Sequence, residues 1–273
     1  MDTAKTFFYN ANGCALGGEI RWPISQTLDP VAATSLPITG GYGSAKAGEY
    51  KLQDIIGYKS ASGEVSGKRD ELDGAHNTEI TATIEGLNIN NVVTADRIVA
   101  RLSSKCKPDD TEGCIVAAGS EFVNLQIAGY PVEVELDLSL FANLDTQDKF
   151  KKKYQDDPDF RKTAQKRFLW DDVDGNAPEW LKQRYKWVTP RGALPESKGI
   201  IPCSLIKSIK CACPDVQIYG NVIIVANFGT IFLGEILMKE NSRRLTMMRL
   251  AMGSPVGGDV TVAGIEGNGT LYP

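Results

Sequence analysis

Apolar and polar residues alternate through "VEVELDLSL". Val132, Val134, Leu136, Leu138 and Leu140 take one parity, and Glu133, Glu135, Asp137 and Ser139 take the other. A period of two predicts a strand over 132–140 with one face in the core and the three acids in water. "NVIIVANFGTIFLGEILM" is the most apolar stretch and reads as two consecutive core strands. Glu235, Asn227 and two glycines interrupt it, so it does not make a membrane span of about 20 apolar residues. "TIFLGEILMKENSRRLTMMRLAMG" predicts a hairpin turning at Glu240, Asn241 and Ser242, with Arg243 and Arg244 in the turn. Arg249 falls inside the apolar return strand. A charge buried there needs a carboxylate, and the hairpin register points to Glu235. "SPVGGDVTVAGIEGNGTLYP" continues in the same manner, with paired glycines before an alternating run. The pattern predicts a mainly β chain folded as antiparallel, sandwich-like sheets.

One segment breaks this pattern. Residues 145–191 hold 12 Lys or Arg against 9 Asp or Glu, with three of the four tryptophans. In "TQDKFKKKYQ", Thr146 has the chemistry of an N-cap, Asp148 falls in the first turn, and Phe150 and Tyr154 share a helical face. In "DDPDFRKTAQKRFLW", Asp157 or Asp159 can cap beside Pro158, and Phe160, Ala164 and Phe168 recur every four residues. "APEWLKQRYKW" offers a third start at Pro178, with Trp180, Arg184 and Trp187 on one stripe. The expected organisation is a β domain whose first part spans 1–144, a helical insertion over 145–191, and C-terminal strands and hairpin over 192–273. Basic charge interleaved with aromatics suits an interface, because Trp and Arg are common anchors. The candidate interface residues are Lys151, Lys152, Lys153, Arg161, Trp170, Trp180, Arg184 and Trp187, with Lys162, Lys166 and Arg167 beside them. A second copy of the chain, offering an acidic strand face, is the partner this charge pattern suggests.

"TATIEGLNINNVVTADRIVARL" and "GSEFVNLQIAGYPVEVEL" share an order of Leu-x-Ile, turn residues and a Val-led strand, which suggests a duplicated hairpin. The second stretch, with its "G-S-x-x-x-N-L-x-I-x-G-x-P-V" form, resembles bacterial cell-surface β proteins of the choice-of-anchor type over about residues 78–137. The resemblance implies an extracytoplasmic β fold and transfers no active residues.

Composition narrows the chemistry. With 273 residues and 42% hydrophobic content, the chain can fill a large core. A net charge of -4 gives no global basic field, so nucleic acid is not an expected partner; another copy or another protein is. "MDTAKTFFYNANG" has no apolar run of signal-peptide length, so the expectation is a cytoplasmic or a processed extracytoplasmic protein. Cys106 and Cys114 flank a Pro-Asp-Asp turn, where a cross-hairpin disulfide and two free thiols are the alternatives. Cys211 and Cys213 lack a second pair at zinc spacing, and the chain has a single histidine, so no metal site or cofactor is expected. That histidine, His76, sits in "ELDGAHNTE" and reads as a surface loop residue, not a catalytic one. No nucleophile elbow, phosphate-binding loop or zinc-protease motif is present. The expected function is a non-catalytic structural or binding protein. The alternative is an enzyme of unrecognised type with a pocket between the insertion and the sheet. The state of the insertion's aromatics separates the two, packed shut in the first and lining a pocket in the second.

Overall fold

The computed structural model describes residues 6–171, 175–184, 193–196 and 199–272. The chain opens with β1 (Thr6–Trp22), β2 (Gln26–Val31), β3 (Thr34–Ser35), β4 (Gly41–Ala47), β5 (Tyr50–Leu52) and β6 (Ile56–Tyr58). Three long strands follow, β7 (Ser60–Arg69), β8 (His76–Ile89) and β9 (Val93–Cys106). Next come β10 (Cys114–Val116), β11 (Glu121–Val123), β12 (Gln126–Ile127) and β13 (Tyr130–Leu136). Helices α1 (Leu138–Asn143), α2 (Gln147–Asp156), α3 (Pro158–Arg167) and α4 (Glu179–Gln183) separate these from the remaining strands. Those are β14 (Ile201–Ser204), β15 (Ile206–Cys211), β16 (Val216–Tyr219), β17 (Val222–Val225), β18 (Gly229–Lys239), β19 (Ser242–Met252) and β20 (Gly257–Tyr272).

Two antiparallel sheets result. One runs β16-β17-β18-β19-β20-β1-β2, with β14 also on β18 and β3 on β1. The other runs β15-β13-β12-β9-β8-β6-β5, with β10 and β11 on β9, and β7 joining β8 to β4. They pack face to face where β1, β19 and β20 meet β7, β8 and β9. Ile80, Ile84, Ile98 and Leu102 from one sheet and Ala11, Leu245, Val262 and Ile265 from the other are buried in the shared core. Strands of alternating pattern stacked in this way make a β sandwich. The first and last strands are neighbours, since β1 pairs with β20 from Thr6↔Tyr272 to Trp22↔Gly257. β13 likewise pairs with β15 across the helices, from Val132↔Cys211 to Leu136↔Ile206. The helical segment is therefore hung from one sandwich. Among the described residues, no helix is long and apolar enough to cross a membrane.

The hairpin expected near the C-terminus forms with Lys239 opposite Ser242 and Asn241 in the left-handed region (φ 56) that a tight hairpin turn requires. Arg249 meets Glu235 as expected, Nε to Oε2 at 2.8 Å and Nη2 to Oε1 at 3.0 Å, although the register sets Arg249 opposite Phe232 and Glu235 opposite Thr246, so the pair forms diagonally. Other readings need correction. The strand expected over 132–140 stops at Leu136, because Asp137 caps α1 by accepting from the Leu140 amide at 2.9 Å. Leu138 and Leu140 belong to that helix, and of the five apolar residues only Val132 is fully buried. Arg243 is not a turn residue; it lies in β19 and is 2% exposed. His76 is not in a loop, since it opens β8 half-buried. Its Nδ1 is 2.9 Å from the Tyr9 hydroxyl and its ring stacks on Phe7 at 4.2 Å. Burial, with Arg69 nearby, holds its pKa below the usual histidine value. The expected duplicated hairpin folds two ways: the first copy is the β8–β9 hairpin, and the second is divided among β11, β12 and β13.

Candidate contact surface and cleft of the helical segment

Helices α2 and α3 start as their sequences predict. The Thr146 side chain accepts from the Lys149 amide at 3.1 Å, and Asp157 accepts from the Phe160 amide at 2.9 Å with Pro158 in the first turn. Two further contacts set the helices on the sandwich. The Glu112 carboxylate, from the loop before β10, accepts the backbone amides of Gln147 and Asp148 (3.2 Å for the latter), so a distant acid completes the N-terminus of α2. Arg243 lies 3.9 Å from that carboxylate and donates to the carbonyls of Asp145 (3.0 Å) and Lys239 (3.1 Å). Burial pushes the Glu112 carboxyl up and the Arg243 guanidinium down to about 10. At the other end of α2, Arg161 donates to the carbonyls of Tyr154 (3.0 Å) and Gln155 (2.7 Å), satisfying acceptors the helix leaves open.

Beneath the helices the aromatics close on one another. Phe150, Tyr154, Phe168 and Trp170 are all buried, with Phe150 6.2 Å and Tyr154 5.8 Å from the Trp170 ring. The Trp170 indole donates to the Pro202 carbonyl at 2.8 Å. At 5% exposure it is a core residue and no part of a surface, which corrects its place among the interface candidates. Arg184 is engaged as well, bonding Glu235 and lying 3.9 Å over the Phe232 ring, with Arg249 3.8 Å from the same ring. Lys151 pairs with Glu196 at 3.3 Å and Lys153 with Asp157 at 3.2 Å, while Lys152 is exposed on α2. Trp180 is 46% exposed on α4. Trp187 lies outside the described residues. The exposed positions of α2 and α3 carry Lys149, Lys152, Lys153, Lys162 and Lys166 against Asp148, Asp156 and Asp159, a small basic excess, and their aromatic content is less than the sequence suggests.

The acidic strand face expected to receive that charge is already matched within the chain. Glu135 pairs with Lys207 at 2.6 Å and Ser208 at 3.0 Å, and Glu133 lies 3.9 Å from Lys210. Asp137 is held by Arg167 at 2.7 Å and by Ser139 at 2.8 Å. Burial would raise the Asp137 pKa, but the bonds from Arg167, the Leu140 amide and Ser139 outweigh it and leave the carboxyl below the ordinary range. Of the two alternatives for the Cys106 and Cys114 pair, the structure has the free thiols, and β10 pairs Cys114 with Lys105, one residue out of step. That register puts the two side chains on opposite faces of the sheet. Cys106 is buried, which raises its pKa to about 11.

Between α3 and the sheet edge lies an open cleft of about 730 Å³. Lys162, Lys166 and Arg167 border it from α3, and Asp137 and Lys207 from the β13–β15 edge. Its apolar lining comes from Leu169, Ile206, Ile218 and Tyr219. Gly220 closes the wall with φ 54, where a side-chain carbon would come within 3.1 Å of the Arg167 carbonyl and of Leu169. The basic rim is visible in the sequence of α3. The apolar floor is not, because it is assembled from β15, β16 and the turn after α3, which are distant in the chain.

The chain belongs to the family described as a domain of unknown function (DUF8256), whose model matches residues 7–239. The matched stretch runs from the start of β1 to the end of β18 and includes the helical segment and the cleft. No curated protein and no solved structure matches the chain.

Proposed function

We propose that this protein is a non-catalytic binding protein that associates with another copy of itself through the helical segment. The observation that supports this most is the division of labour within that segment. Phe150, Tyr154, Phe168 and Trp170 pack the helices to the sandwich, while Lys162 and Lys166 face water at the rim of an open cleft and Lys152 is exposed on α2. A charged rim around an apolar floor is the usual anatomy of a protein contact site. The same cleft lies where an enzyme's pocket was the alternative expectation. Its one carboxylate, Asp137, is committed to a helix cap and to Arg167, and its lowered pKa keeps it ionised at neutral pH, which suits anchoring better than proton transfer. Sedimentation of the full chain at low and at high ionic strength tests the reading. The expected result is a larger species at low salt that dissociates as salt screens the rim. A monomer under both conditions contradicts it.

A further inference from the structure

The turn between β7 and β8, Asp70-Glu71-Leu72-Asp73, carries the most exposed large apolar side chain among the described residues: Leu72 is 98% exposed. A single exposed leucine needs no explanation in general. This one is held out by a built turn. The Asp70 carboxylate accepts the Leu72 amide at 2.9 Å, and the Asp73 carboxylate accepts the Ala75 amide at 3.0 Å. Backbone bonds from Gly74 to Asp70 (3.0 Å) and from Asp70 to Ala75 (2.7 Å) close its base. Lys105 holds Asp73 from the side at 2.6 Å. The result is a preformed apolar knob beside the exposed carboxyl group of Glu71, with the half-buried Asp70 carboxylate engaged in the turn itself.

The cleft beside α3 has the opposite character, with Lys162 and Lys166 on its rim and Leu169, Ile206 and Ile218 within it. No residue is shared between knob and cleft. We propose that the β7–β8 turn of one copy docks into the α3 cleft of another, Leu72 entering against the half-exposed Ile218 and Tyr219 while Glu71 faces Lys162 and Lys166. The proposal rests on the self-association reading above and names its two surfaces. A contact between two different patches is heterologous, so it propagates head to tail instead of closing as a symmetric dimer. A turn in a cleft also buries less surface than a standard stable interface, so the association is weak and concentration-dependent. The turn is rigid before docking, which lowers the ordering cost.

Complementation tests it. Leu72→Asp disables the knob and leaves the cleft; Lys162→Glu/Lys166→Glu disables the cleft and leaves the knob. By sedimentation velocity at low ionic strength, the unaltered protein forms species larger than a dimer, and each variant alone stays monomeric, its self-affinity lowered at least about tenfold. Mixed in equal amounts, the two variants form a 1:1 dimer that grows no further, because one intact knob meets one intact cleft. A mixture that stays monomeric overturns the proposal. Oligomers of Leu72→Asp equal to the unaltered protein also overturn it but leave self-association by the helical segment standing. An unaltered protein that is monomeric throughout overturns both. Circular dichroism of each variant confirms that it folds.

Discussion

Arg249 grips Glu235 across the β18–β19 hairpin through two bonds, and the same carboxylate also receives Arg184 from the end of α4. The Phe232 ring, directly opposite Arg249 in the hairpin, lies against both guanidinium groups. One acid on the sheet therefore ties the end of α4 to the sandwich. Glu235→Gln removes the charge that Arg249 and Arg184 share. Arg249 is a third exposed, so solvent relieves part of the loss and the expected cost is about 2 kcal/mol, below the range for a fully buried pair. Urea unfolding measures it, and a change under about 0.5 kcal/mol contradicts the assignment.

Arg243 and Glu112 form the deeper joint, where α2 meets the hairpin. Removing one charge strands the other in the core, so Glu112→Gln and Arg243→Met each should cost about 3–5 kcal/mol. The double variant should cost clearly less than the sum, since the pair is removed together. Urea midpoints of the four proteins give the coupling. Additive losses would show that the two side chains act independently.

His76 supplies a pH dependence. Its folded pKa lies below the unfolded value of about 6.5. The stability of the neutral ring packed on Phe7 is thus fully present above that value and is lost as pH falls toward the folded pKa. The unaltered protein should lose stability between pH 7 and pH 5, and His76→Gln should be less stable at pH 7.5 but flatter over the same window. Parallel curves for the two proteins count against a buried neutral His76.

Along β13 the two faces should respond differently. Leu136→Asp places a charge against the core and is expected to cost about 2–3 kcal/mol, while Glu135→Lys, an exposed position paired with Lys207, changes stability by less than about 1 kcal/mol. Equal shifts in melting temperature contradict the strand assignment.

These residues also show how far the fold was legible in the sequence. Alternation identified the strand at Val132 and the C-terminal hairpin, and cap chemistry identified Thr146 and Asp157, because local periodicity and local hydrogen bonds determine those features. The end of β13 was hidden: Leu138 and Leu140 continue the alternation, yet Asp137 has enough bonding partners to start a helix. The choice between bridged and free thiols at Cys106 and Cys114 turned on register, which shifts by one residue without any change in composition. Arg243 was misread because its partners at Asp145 and Glu112 come from distant parts of the chain. The basic rim of the cleft was legible in α3, whereas its floor exists only once β15 and β16 stand beside α3.

The central claim is that the basic face of the helical segment holds copies of the chain together. Equilibrium sedimentation at low ionic strength, comparing the unaltered protein with Lys152→Glu/Lys162→Glu/Lys166→Glu, tests it most directly. The account predicts a mass above that of the monomer for the first, falling toward the monomer as salt is added, and a monomer for the second at every salt concentration. Equal masses for the two proteins would contradict it.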